Sequence, residues 1–256
     1  MVNRLLVLFS IVLLITLLFN CDGYNLGSDI EDPNPPKAPN FIPQSAPSDS
    51  LQEGIGPAEY IKGINLEWYN NKEDDIGGYY IYRAEKSADS TFQVLDTIEI
   101  ITNITESNSY TDTLINYYTN YYYYLTAYDY GRNESNPSDT IRYMLTEGVD
   151  LVDPDGTIQD EVNTFTWYDF TTLTNEYVIE LQALQNTKTI WITRFNRPDY
   201  GDSEQTVRFN FDGSAFLDNL EKDKLYRWRV HSISIVDQNN RDICGAKSNW
   251  NYFNIE

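Results

Sequence analysis

The chain has 256 residues, 41% hydrophobic, with 21 tyrosines and a formal net charge of -21. That length allows about two domains, and that apolar content is enough for buried cores, which excludes wholesale disorder. The acidity excludes nucleic-acid binding and disfavours docking on anionic lipid, since both need a basic surface; it reads as solubility, with divalent-cation binding as the sharper alternative.

The chain opens with an address. Arg4 is the only charged side chain in the first twenty residues and is followed by the apolar run Leu5 to Phe19. Fifteen helical residues span about 22 Å, short of the ~30 Å hydrocarbon core, so the run suits a secretory signal better than a membrane span. The segment Leu18-Phe19-Asn20-Cys21 resembles the lipobox of bacterial lipoproteins, with Asn20 where a small residue is usual. That resemblance implies a signal peptide over 1–20, a lipid on Cys21 as the mature N-terminus, and a location on the bacterial cell envelope, at the outer membrane or cell surface. An ordinary cleaved signal and an uncleaved anchor are the alternatives. Residues 21–35 read as a tether leading into Pro33, Pro35, Pro36 and Pro39. Proline favours extended polyproline II, so the tether could hold the first domain about 50 Å from lipid.

Beyond the tether, strands of alternating character follow one another. Ile64, Leu66 and Trp68 alternate with Asn65, Glu67 and Tyr69, the period of a half-buried strand. Asp74-Asp75 and Gly77-Gly78 mark a turn into Tyr79–Arg83; Phe92–Ile98 is a third strand, and Tyr121, Tyr123, Leu125 and Ala127 share one face of a later one. The last strand of this half spans about Asp139 to Leu145. The second half repeats the order, with Phe165 and Trp167, then Tyr177, Ile179 and Leu181, then Thr189–Phe195, then Tyr226, Trp228 and Val230. Trp68 and Trp167 stand 99 residues apart, Tyr121 and Tyr226 stand 105 apart, which implies a tandem duplication.

Trp68, Gly78–Arg83, the Tyr121 strand and Ser135-Asn136-Pro137-Ser138 resemble a fibronectin type III domain. Trp167, Tyr177–Ile179, Tyr226-x-Trp228-x-Val230 and Lys247-Ser248-Asn249-Trp250 repeat the resemblance. It implies an all-β chain of two tandem sandwiches, over 36–148 and 149–256, each able to fold by itself and joined near Thr146 to Val152. It also implies core roles for Trp68 and Trp167, and tyrosine-corner roles for Tyr121 and Tyr226, whose hydroxyls would bond nearby backbone.

Nothing in the sequence marks a catalytic residue, a metal site or a cofactor: there is no nucleophile elbow, P-loop, HExxH or paired zinc-ligand spacing. Asp153-Pro154-Asp155-Gly156 reads as a turn, with calcium as the sharper alternative. Cys244 reads as a small buried hydrophobe. His231, of opposite parity to Val230, is expected on the surface, as are Arg227 and Arg229 opposite Glu180 and Gln182. Parity also sends Tyr80, Tyr82, Tyr122, Tyr124 and Tyr128 to one solvent-facing, uncharged patch. That patch either stabilises the sheet by cross-strand pairing, docks a protein or glycan, or is covered by the second domain. Function therefore reads as a non-catalytic binding or spacer lipoprotein, or else an accessory subunit of an envelope polysaccharide-uptake or secretion complex.

Overall fold

The computed structural model describes residues 34–44, 54–100, 106–239 and 241–256; the expected signal peptide, Cys21 and nearly all of the expected tether lie outside them. The described residues are all-β. The first repeat contains β1 (Asn40–Phe41), β2 (Ile55–Pro57), β3 (Ile64–Tyr69), β4 (Ile76–Glu85), β5 (Gln93–Glu99), β6 (Ser107–Asp112), β7 (Asn120–Asp129) and β8 (Ile141–Leu145). The second contains β9 (Asp150–Asp153), β10 (Gly156–Ile158), β11 (Thr164–Tyr168), β12 (Glu176–Ala183), β13 (Lys188–Asn196), β14 (Glu204–Arg208), β15 (Lys224–Val236), β16 (Asp242–Lys247) and β17 (Asn251–Ile255).

In each repeat a small sheet faces a larger one, and the alternating apolar residues of both fill the space between. β3 pairs with β1, β2 and β6, while β4 pairs with β5 and β7, and β7 with β8. Ile64, Leu66 and Trp68 from the first sheet pack against Tyr79, Ile81, Tyr121, Tyr123 and Leu125 from the second, all fully buried. The second repeat uses the same plan: β11 pairs with β9 and β14, and β12 with β13 and β15. Phe165 and Trp167 meet Tyr177, Ile179, Leu181, Tyr226, Trp228 and Val230 in a separate core. Trp68 stands edge-on to Tyr79 at 5.5 Å, and Trp167 edge-on to Tyr177 at 5.0 Å, the geometry preferred by aromatic quadrupoles.

The equivalence reaches single hydrogen bonds. Tyr121 Oη accepts from Asn116 N at 3.0 Å, and Tyr226 Oη accepts from Glu221 N at 2.9 Å, five residues upstream each time. Ser138 Oγ accepts from Leu125 N and Ser248 Oγ from Val230 N, both at 3.0 Å. Each serine also donates its own N–H to the carbonyl of the same residue, at 2.8 Å to Leu125 and 2.9 Å to Val230, so its hydroxyl stands in for a ladder carbonyl there, and β8 begins at Ile141 rather than Asp139. At Asp153–Gly156 the Pro154 carbonyl accepts from Trp228 Nε1 at 2.9 Å and Asn251 Nδ2 at 3.2 Å, tying the turn to the core.

The two large sheets merge. β16 pairs in parallel with β8, Cys244 opposite Met144 and Gly245 opposite Leu145, to give one ten-stranded sheet. Thr146 N extends this pairing to the Gly245 carbonyl at 3.0 Å. Asp242 N donates to Gln44 Oε1 at 2.7 Å, which adds a contact from β1's end of the first repeat. Cys244 is buried at this seam, and burial raises its thiol to about 11.

Candidate functional site

β4 and β7 form the centre of the first repeat's larger sheet, and their register decides what its outer face carries. Ile81 lies opposite Leu125 and both point into the core, so the flanking positions point outward. Tyr82 lies opposite Tyr124, Tyr80 opposite Thr126, Ala84 opposite Tyr122 and Gly78 opposite Tyr128. Tyr80, Tyr82, Tyr122 and Tyr124 are half-buried. The rings of Tyr82 and Tyr124 stack at 4.5 Å with 17° between planes, and Phe92, turned back just before β5, closes on Tyr124 at 4.8 Å.

Tyr128 departs from the expected solvent-facing position: it is on the same face but only 4% exposed. The cause is its cross-strand neighbour. Gly78 has no side chain, so the Tyr128 ring lies down on the strand; a Cβ at position 78 would come within 2.6 Å of the Tyr128 hydroxyl. Tyr80 packs on one side of the ring at 4.7 Å, and Arg132 lies over it at 5.5 Å. The patch is also not free of charge. Exposed Glu134 accepts from Tyr82 Oη at 2.9 Å and from Thr126 Oγ1 at 2.6 Å. Burial, the Glu134 hydrogen bond and the Glu134 charge together push the Tyr82 phenol up to about 12.

Trp68, Trp167, Tyr121 and Tyr226 occupy the two cores, 1% exposed at most. Beneath the tyrosine face, Asp112 is almost wholly buried and accepts from Arg83 Nη1 at 2.8 Å and Tyr123 Oη at 2.9 Å. Pairing of this kind is the condition for holding a carboxylate in a core.

The equivalent outer face of the second repeat differs from the surface charge pairing expected there. Glu180, Arg229 and His231 are 6%, 7% and 4% exposed. Arg229 Nε and Nη2 both bond Glu180 Oε2, at 2.8 and 2.7 Å, and His231 Nε2 stands 3.8 Å from the same oxygen. Arg229 is met from outside its own strand pair. Trp250 lies against the guanidinium carbons of Arg227 and Arg229, 4.2 Å from each, and Glu59 of the first repeat meets Arg229 Nη1 at 2.5 Å. Burial raises the Glu180 carboxyl, but the neighbouring His231 and the Arg229 guanidinium outweigh it and bring it down to about 2. Among the described residues, no group of three or more His, Cys, Asp or Glu side chains lies where it could hold a metal ion.

The arrangement is that of two joined β-sandwiches with one half-open aromatic sheet face. No family model matches the chain, and no curated protein is similar to it at a significant level. Among solved structures, the FN1–FN3 domains of chicken CNTN1 align with 86% of this chain and 69% of their own, at 10% identity and a TM-score of 0.30. A structure titled "Myokine structure" aligns with 44% of this chain and 99% of its own, at 16% identity and a TM-score of 0.28. Scores this low add nothing to the sandwich assignment, which rests on the strand pairing and the two cores.

Proposed function

We propose that this protein is a non-catalytic binding and spacer lipoprotein of the bacterial cell envelope, held by lipid on Cys21, and that its partner is a protein. The observation that carries the choice of partner is the stacking on the first repeat. A sugar ring docks flat on an open aromatic face, but Tyr82 and Tyr124 have turned their faces to each other, and Phe92 closes on Tyr124. What reaches solvent is ring edge and hydroxyl, which suits peptide groups and side chains of a protein surface. The seam between β8 and β16 supports the spacer part, because it makes one continuous sheet of two repeats.

Two experiments test this. Tyr82→Ala with Tyr124→Ala should abolish retention of the partner recovered by in-cell crosslinking from that face, with little change in melting temperature; retained binding rejects the face. Cys21→Ala should move the protein from the membrane to the soluble fraction, and an unprocessed Met1 in the wild-type protein, read by mass spectrometry, rejects the anchor.

A further inference from the structure

Sandwich loops are polar by default, and the first repeat obeys: its β3–β4 connection runs Asn70-Asn71-Lys72-Glu73-Asp74-Asp75. The corresponding β11–β12 connection of the second repeat does not. It carries Phe170, 70% exposed, and Leu173, 45% exposed, and the β13–β14 loop beside it carries Tyr200, 65% exposed. Single exposed apolar side chains need no explanation, but these three stand on two loops that are fixed to each other.

The fixing is done by one buried cation. Arg197 is 6% exposed and its guanidinium donates to backbone carbonyls of both loops: Thr171 at 2.7 Å and Asp169 at 3.4 Å on one, Asp199 at 2.9 Å and Asp202 at 3.2 Å on the other. Its charge is balanced by the buried Asp169 carboxylate at 3.7 Å, which also accepts from Tyr177 Oη at 2.7 Å and Thr171 N at 2.8 Å. Gln205, fully buried, holds the second loop from below through Asp199 N, Asp199 O and Asp202 O. The exposed rings are held as well. Phe170 stacks on Tyr168 at 5.8 Å, and Tyr200 Oη donates across to the Asn175 carbonyl at 3.2 Å. Around them stand exposed Asp199, Asp202 and Glu204, and the only cation in these loops is the buried Arg197.

We infer that this loop pair is a second, preorganised protein-docking site, with Phe170, Leu173 and Tyr200 as its anchors and a partner surface that presents an apolar pocket framed by lysine or arginine. Rigid apolar anchors bind without the entropy loss of ordering a loop, and buried aromatic anchors dominate the energetics of interfaces. The charge of the rim selects the partner's sign. This site goes beyond the tyrosine face and stands on separate residues.

The probe is a phage-displayed random peptide library selected on the full-length protein. The expected result is enrichment of peptides with an aromatic or aliphatic anchor between basic residues. Phe170→Ser should weaken them by roughly tenfold or more without moving the urea midpoint; Tyr200→Ser should act likewise, and added salt should weaken binding. Tyr82→Ala with Tyr124→Ala should leave these peptides bound, which separates failure here from failure of the sheet-face reading. No enrichment, acidic peptides, or peptides indifferent to Phe170→Ser overturn the inference. So does self-association that Phe170→Ser abolishes in sedimentation velocity, because that assigns the face to a second copy of this chain.

Discussion

Tyr82 opposite Tyr124 in the first repeat and Glu180 opposite Arg229 in the second hold the same place in the same fold. One pair is half-buried and made of stacked phenols; the other is buried and made of opposite charges. The backbone beneath them is alike, down to the tyrosine corners. What differs is what lies above. Trp250 and Glu59 meet Arg229 on the second face, where the polar groups are buried and paired; among the described residues nothing comparable covers the first, and its rings pair with one another and stay half-buried. The sheet fixes position and direction, and the covering residues fix chemistry.

The largest expected effects probe the shared scaffold rather than the difference. Trp68→Ala and Trp167→Ala should each lower the stability of their own repeat by about 3–5 kcal/mol, as urea unfolding followed by tryptophan fluorescence and amide NMR would resolve. If residues 36–148 expressed alone stay unfolded by circular dichroism, the repeats do not fold separately and the two faces cannot be compared as independent solutions.

Arg229→Ala should cost a similar amount, about 3–5 kcal/mol, because it strands the buried Glu180 carboxylate without its guanidinium; Arg229→Met together with Glu180→Leu should restore most of it. The acid limb gives a related signature. Glu180 sits at about 2 in the folded protein against an ordinary 4.5. Its pairing therefore stabilises the fold above pH ~4.5, and that stability fades as pH falls toward 2. The loss is about 3 kcal/mol on this shift, and it should vanish in Glu180→Gln. An acid limb unchanged by Glu180→Gln would mean the buried pair contributes nothing that the open face lacks.

The smallest effect belongs to the tyrosines. Tyr82→Ala with Tyr124→Ala should cost about 1–2 kcal/mol, the stacking of a half-buried aromatic pair and the ring area it keeps from water, by thermal melt. A loss as large as that of Arg229→Ala would make the open face a structural element and remove the contrast.

Much of this was legible in the sequence, for local reasons. The period-two runs at Ile64–Tyr69 and Tyr121–Ala127 depend only on one buried face per strand, and the Trp68–Trp167 offset needs only duplication. Those signals reach the two cores, and they put Tyr80, Tyr82, Tyr122 and Tyr124 on the outer side. They do not reach burial of an outer face, which is decided by chain segments far away. Glu180, Arg229 and His231 alternate like surface residues, yet all three are buried, and Arg229 meets a tryptophan two residues past Ser248 and a glutamate of the other repeat. Tyr128 failed for a nearer reason: Gly78 stands opposite, and a glycine across a sheet leaves room for a ring to lie flat. The loops at Phe170 and Tyr200 did carry a signal, since Phe170 and Leu173 interrupt a polar stretch where the first repeat has six polar residues in a row. It passes unnoticed when only the strands of the two copies are aligned.

The seam at Cys244–Gly245 and Met144–Leu145 has a consequence for avidity. Two binding modules on a loose linker pay for their relative freedom each time both engage, and their effective concentration falls as the linker lengthens. Main-chain hydrogen bonds across this seam set the bearing of the second repeat against the first before any partner arrives. A partner assembly matched to that bearing gains the second contact as a nearly intramolecular event, while one mismatched by even a modest rotation is confined to a single contact. If both repeats dock partners as proposed, the seam would act as a geometric filter, selecting among them by the spacing and angle of their own docking points.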